Sequence, residues 1–216
     1  MARKTKAEAA LTRQKIIHCA RELFSQAGVT NTSLEDIALA AKVTRGAVYW
    51  HFRNKTDLFM AVRADTGSLL QLNDSQEGSP LKRLENSLLQ SITRLTSESA
   101  TQQTYQMMLW KCEFVGEFSS VRDDLLHAGK NFTQEIAELY RQAQRLGEID
   151  PQSDCTQLAR ETFCFFVGII KVSLAESDGQ YFENSLTPLI HQHFLNKRWT
   201  GKHALTNPAP KSKKKP

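Results

Sequence analysis

Residues Thr32 to Asp57 read TSLEDIALAAKVTRGAVYWHFRNKTD, a stretch that alternates polar caps with short apolar runs. Thr32-Ser33-Leu34-Glu35-Asp36 offers two overlapping capping boxes, Thr32 with Glu35 and Ser33 with Asp36. They open a helix whose inward face is Leu34, Ile37, Ala38 and Ala41. A turn at Lys42-Val43 leads to Thr44, the cap of a second short helix through Tyr49 and Trp50. Asn54-Lys55-Thr56-Asp57 caps the next helix, which turns Leu58, Phe59 and Val62 inward. Small side chains at Ala38, Ala40 and Ala41 let the first two helices cross closely, and the whole predicts a helix-turn-helix.

In that arrangement the second helix lies in the major groove of duplex DNA and its first residues reach base edges. Thr44, Arg45, Gly46 and Ala47 fill those positions. An arginine such as Arg45 bonds guanine O6 and N7 together, and Ala47 suits a thymine methyl. Gly46 has no side chain to hold the backbone off the DNA, at a helix cost of ~1 kcal/mol. Tyr49, His51 and Lys55 are placed for phosphates, Lys55 at a helix start whose free N–H groups favour an anion. Trp50 is counted with the DNA-facing residues, although part of it, like Phe52, is expected in the core.

Working outward, every periodic segment is helical. Leu11, Ile16, Ile17, Ala20, Leu23, Phe24 and Ala27 recur at helix spacing and stop at Gly28. Residues 74–80, DSQEGSP, form a loop. Longer helices are predicted over 80–97, 102–116, 119–146, 153–175 and 181–197. No run alternates as a strand does. The expected fold is all-α: a three-helix helix-turn-helix DNA-binding domain (1–62), a helical ligand-binding and dimerisation domain (63–199), and a disordered basic tail (200–216).

Charge divides the same way. Residues 1–63 carry 11 basic against 5 acidic side chains, residues 64–196 carry 10 against 18, and residues 197–216 carry 7 against none. A basic head on an acidic body assigns polyanion binding to the head. The first ten residues hold no apolar run of the secretory kind, and the longest uncharged apolar stretch, Thr162 to Ile170, is far short of the ~20 residues that span a bilayer. A cytoplasmic protein with no membrane partner is expected. Cys19, Cys112, Cys155 and Cys164 form no paired motif and are read as free thiols. His191 and His193 lie two apart on a helix and make a poor metal pair. There is no Gly-rich phosphate loop, GxSxG elbow or HExxH, so neither an enzyme, a cofactor nor a metal is expected.

The stretches TRQKII (12–17), LFSQAGV (23–29), NTSLEDIA (31–38), VTRGAVYWHF (43–52) and DLF (57–59) resemble the TetR family of bacterial transcriptional regulators. They are especially similar to its AcrR-like branch, repressors of multidrug efflux pumps, as is KCEFVGE (111–117). The resemblance implies a two-domain all-α homodimer on a palindromic double-stranded operator. It also implies that Thr32 or Ser33, Tyr49, His51 and Lys55 clamp phosphates while Arg45, Gly46 and Ala47 face bases. Ligand binding in the second domain would respace the recognition helices and release the DNA.

In that second domain residues 102–116 are apolar nearly all round, so their helix is expected to be central and buried. Residues 158–174 carry apolar side chains on several faces, which suits a helix packed on its own core and on a partner subunit, with 181–197 as companion. Tyr105, Met108, Leu109, Phe114, Phe132 and Phe166 are nominated as the ligand pocket, for a small lipophilic molecule, cationic or aromatic. A different use of the second domain is a protein-partner surface in place of an inducer pocket. Non-specific DNA binding driven by the basic head and tail is a third reading, set apart by its indifference to sequence.

Overall fold

The structure is a computed structural model that describes residues 5–72, 77–175 and 185–200. All nine α-helices among them follow capping signals or apolar periodicity, and no described residue is in a strand. Helix α1 (Lys6–Ala27) starts from Thr5, whose hydroxyl accepts from the Glu8 N–H while the Glu8 carboxylate accepts from the Thr5 N–H. It stops at Gly28, held at φ 88°. Helices α2 (Leu34–Ala40), α3 (Arg45–His51) and α4 (Lys55–Asp65) follow. Of the two boxes available at the start of α2, Ser33 with Asp36 is the one formed. Ile16, Ile17, Ala20 and Phe24 of α1 pack with Leu34, Ile37, Val48, Phe52, Leu58, Phe59 and Val62 into one fully apolar core.

The second half begins with α5 (Pro80–Ser97), capped by Ser79 with Pro80 at its first position. It continues through α6 (Ser99–Trp110), a short 3-10 turn (Gly116–Phe118), α7 (Ser119–Arg145), α8 (Cys155–Ala175) and α9 (Leu186–Leu195). Helices α7 and α8 share the most extensive packing. Gly129 permits it, since a Cβ there would stand 3.0 Å from Cζ of Phe163. Leu84, Leu88, Phe132, Ile136, Tyr140, Ala159, Phe166 and Ile170 form the centre of this larger core.

Two expectations change. The helix predicted over 102–116 ends at Trp110, and Lys111 to Val115 run on as non-helical chain. Gly116, at φ 55°, stands at the far end of that segment, and Trp110 and Val115 are exposed, so the stretch is central for only part of its length. The last helix is described from Leu186; the expected start at 181 and the basic tail from 201 onward lie outside the described residues.

The cores meet along one seam. Met107 and Met108 at the end of α6, with Phe118 and Val121, pack into the core of α1–α4 rather than into the larger one. The exit of α4 is tied to the second half as well. Arg94 donates to the carbonyls of Thr66 and Ser68, and the Leu69 N–H donates to the Tyr105 hydroxyl at 2.6 Å. Arg21, buried in α1, is ion-paired with Asp65 at the end of α4.

Helix α9 is fastened by its histidines. His191 Nδ1 lies 2.7 Å from the buried Glu85 carboxylate, which also accepts from Lys82. His193 stacks on Phe165 at 4.2 Å and meets Thr162, whose hydroxyl bonds that of Tyr140. Burial, with the charge of Lys197 adding to it, pushes the His193 pKa down to about 4 from the ordinary 6.5. The unfolded chain takes up this proton below 6.5 and the native state resists it until about 4, so stability is full above that window and falls as pH drops through it. Urea unfolding between pH 7 and pH 4.5 is expected to show a loss on the order of 1–2 kcal/mol from this group, discounted for its partial exposure. His193→Gln should flatten that part of the profile; an unchanged slope would assign it to other groups.

Candidate nucleic-acid interface

The turn between α2 and α3 closes with two hydrogen bonds, Lys42 N–H to Leu39 O and Val43 N–H to Ala38 O, each 3.0 Å. This is the Schellman helix end, in which the residue after the cap is left-handed and is most often glycine. Lys42 fills it at φ 52°. Thr44 then caps α3, its hydroxyl accepting from the Ala47 N–H at 3.2 Å. Between α1 and α3 runs a groove of about 840 Å³, lined by Ala9, Thr12, Lys42, Val43, Thr44, Ala47, Trp50 and His51.

On α3 only Val48 is buried, so the helix presents Arg45, Gly46, Tyr49 and Trp50 outward, with Ala47 and His51 half-buried. The Arg45 guanidinium sits 2.8 Å from the Glu35 carboxylate on α2 and over the Tyr49 ring, 5.4 Å from its centroid. Its hydrogen bond with Tyr49 and the Glu35 charge raise its already high pKa, so it stays a cation. Glu35, the residue that pairs with Arg45, was not foreseen from the sequence. As the unused member of a second capping box on the turn facing α3, it carried the only available signal.

Several expected contacts stand differently in the structure. Trp50 is 73% exposed and leaves the core to Phe52: it lies on the wall of the open groove between α1 and α3, on a short helix that buries only Val48. It packs edge-on against His51. Thr32 is corrected: it is 2% exposed and its hydroxyl donates to the Gly28 carbonyl, which removes it as a phosphate contact. Ser33 is the exposed alternative, with its hydroxyl engaged in the α2 cap. Lys55 donates to the carbonyls of Val29 (2.9 Å) and Thr30 (3.3 Å), so in the free protein it braces the turn between α1 and α2.

The six nominated pocket residues divide between the cores. Tyr105, Leu109, Phe132 and Phe166 belong to the larger one, where the Phe132 and Phe166 rings lie 6.2 Å apart. Burial raises the Tyr105 hydroxyl, keeping it neutral as it accepts from Leu69. Met108 and Phe114 instead face the core of α1–α4, at the seam. Hydrogen bonds cross that seam: the Val29 N–H donates to Lys111 O at 2.9 Å, and the Thr56 hydroxyl donates to Glu117 O at 3.3 Å. Among the described residues no cluster of His, Cys, Asp or Glu is arranged to hold a metal, and no helix is long and apolar enough to cross a membrane.

Two capped helices crossing at a tight turn, the second laid bare along its outer face, define a helix-turn-helix DNA-binding protein. Comparison with known proteins agrees. Bacterial regulatory proteins of the tetR family are matched over residues 16–62, and the tetracyclin repressor-like C-terminal domain over residues 81–189. The HTH-type transcriptional regulator TtgR of Pseudomonas putida is 34% identical over 180 residues, 79% of this chain and 84% of that one. The HTH-type transcriptional regulator AcrR of Shigella flexneri is 44% identical over 127 residues, 56% of this chain and 59% of that one. Among solved structures, NalD, the secondary repressor of the MexAB-OprM multidrug efflux pump in Pseudomonas aeruginosa, has a TM-score of 0.76 at 26% identity, covering 90% of this chain and 99% of NalD. The chain belongs to the tetR family of bacterial regulatory proteins, and is a DNA-binding transcriptional regulator, not an enzyme.

Proposed function

We propose that the protein is a ligand-responsive repressor, a homodimer on a palindromic operator, that controls a multidrug efflux operon in the cytoplasm. Residues 1–62 read DNA. Residues 63–199 dimerise and take a small lipophilic ligand, cationic or aromatic, that releases the operator. The efflux target is drawn from the similarity to NalD, a repressor of such a pump. The observation that carries the ligand response is the seam: the end of α6 and the segment after it share a core and a backbone hydrogen bond with the helix-turn-helix. Rearrangement around Tyr105 and Leu109 therefore has a packed route to α1 and α4, because close-packed cores transmit displacement.

The test is fluorescence anisotropy on DNA from the protein's own promoter against a random duplex at fixed salt. It is run without and then with lipophilic cations, bile acids and aromatic compounds. Promoter preference abolished by a panel member is the expected result. Preference that no compound disturbs would overturn the ligand response and favour a protein partner on the second domain. Equal binding to both duplexes would overturn operator recognition itself.

The same assay tests the base-reading role of Arg45. Arg45→Ala is expected to cost about 1–3 kcal/mol on the operator and to relax base preference at one position of each half-site. Equal weakening on operator and random DNA would place Arg45 on phosphates instead.

A further inference from the structure

We propose that Lys42, in the turn between α2 and α3, is a phosphate-contacting residue of the DNA interface; the assignment rests on the helix-turn-helix reading. Lys42 is the sole non-glycine residue with a positive φ among the described residues. Glycine would close the same two turn hydrogen bonds without crowding its own Cβ. A lysine in that position is strained for the sake of its side chain. That side chain is exposed and makes no hydrogen bond or ion pair with another described residue, so its cation is available.

Its placement says for what. Lys42 lines the same groove as Thr44, Ala47 and Trp50, the face of α3 presented to DNA, with Ala9 and Thr12 of α1 on the opposite side. A duplex read by Arg45 brings a phosphodiester strand to the rim of that groove, and a lysine on a turn is a flexible point charge suited to it. The competing role is local: a cation beyond the last turn of α2 complements the helix carbonyls there. That role predicts an effect on stability and none on DNA.

The experiment compares wild type, Lys42→Gly and Lys42→Arg on promoter and random duplexes over a salt series, with thermal unfolding measured alongside. Lys42→Gly is expected to fold with an equal or higher melting temperature. It should weaken both duplexes by a similar factor, about three- to tenfold, and make the slope of log affinity against log salt shallower by about one. Lys42→Arg should keep the wild-type slope. Unchanged affinity and slope in Lys42→Gly would overturn the proposal, and so would an affinity loss at unchanged slope, which would trace to turn geometry. Should wild type show no promoter preference while Lys42→Gly still lowers the slope, the operator reading fails and the phosphate contact stands.

Discussion

Phe59→Ala is expected to remove about 3–5 kcal/mol of stability, the usual loss when a fully buried phenylalanine leaves a cavity. Phe59 is fully buried in α4 and meets Phe24 of α1 at 6.4 Å, Phe114 at 6.4 Å and Phe118 at 5.4 Å between ring centroids. Phe114 and Phe118 come from the second half of the chain into the α1–α4 core, so the cavity would open in that core where the second half docks on it. Phe59→Leu, which keeps more of the volume, should cost roughly 1–2 kcal/mol. Urea unfolding followed by circular dichroism reads both. An alanine variant within about 1 kcal/mol of wild type would show that the seam repacks freely and that Phe59 does not join the halves.

The second large effect is electrostatic. Asp65→Ala should cost about 2–4 kcal/mol, because it strands the buried Arg21 guanidinium without its counter-charge. The lower end reflects the partial exposure of Asp65. The Arg21 Nε has no hydrogen-bond partner among the described residues, so no second acceptor stands ready there. Arg21→Met combined with Asp65→Leu should recover most of the loss, since removing both charges also removes the desolvation penalty. Stability measured for wild type, Arg21→Met, Asp65→Leu and the double variant gives the coupling. If Asp65→Ala alone changed stability by less than about 0.5 kcal/mol, the pair would be ornamental and the α1–α4 junction apolar in character.

Much of the fold was legible because it is written locally. Capping residues and helix-period apolar positions are short-range signals, and they placed α2, α3 and α5 within a residue or two, whereas α1 starts at Lys6, five residues before the first apolar position read for it. The end of α6 was not readable. Trp110 and Val115 look like core residues in a list, and only tertiary packing decides that they face outward. The same limit applies within the interface. The place of Arg45, Gly46 and Ala47 on the first turn of α3 could be read from the sequence, whereas the burial of Thr32 and the reach of Lys55 to Val29 depend on how α1 lies against α2 and α4. The nominated pocket residues fell on two sides of a seam that no periodicity announces. Apolar side chains on one helix look alike until their partners are known.

The contact between Glu35, Tyr49 and Arg45 bears on how binding is divided between order and disorder. An unrestrained arginine side chain carries roughly 2 kcal/mol of rotamer entropy. In this protein the guanidinium is already bracketed by a carboxylate on α2 and a ring on α3. Part of that freedom is therefore surrendered during folding, before any duplex is met, and on the base-reading role proposed for Arg45 less remains to be lost on binding. On that reading the donor proposed for base contact is partly ordered before DNA arrives, and what folding has ordered, association need not order again.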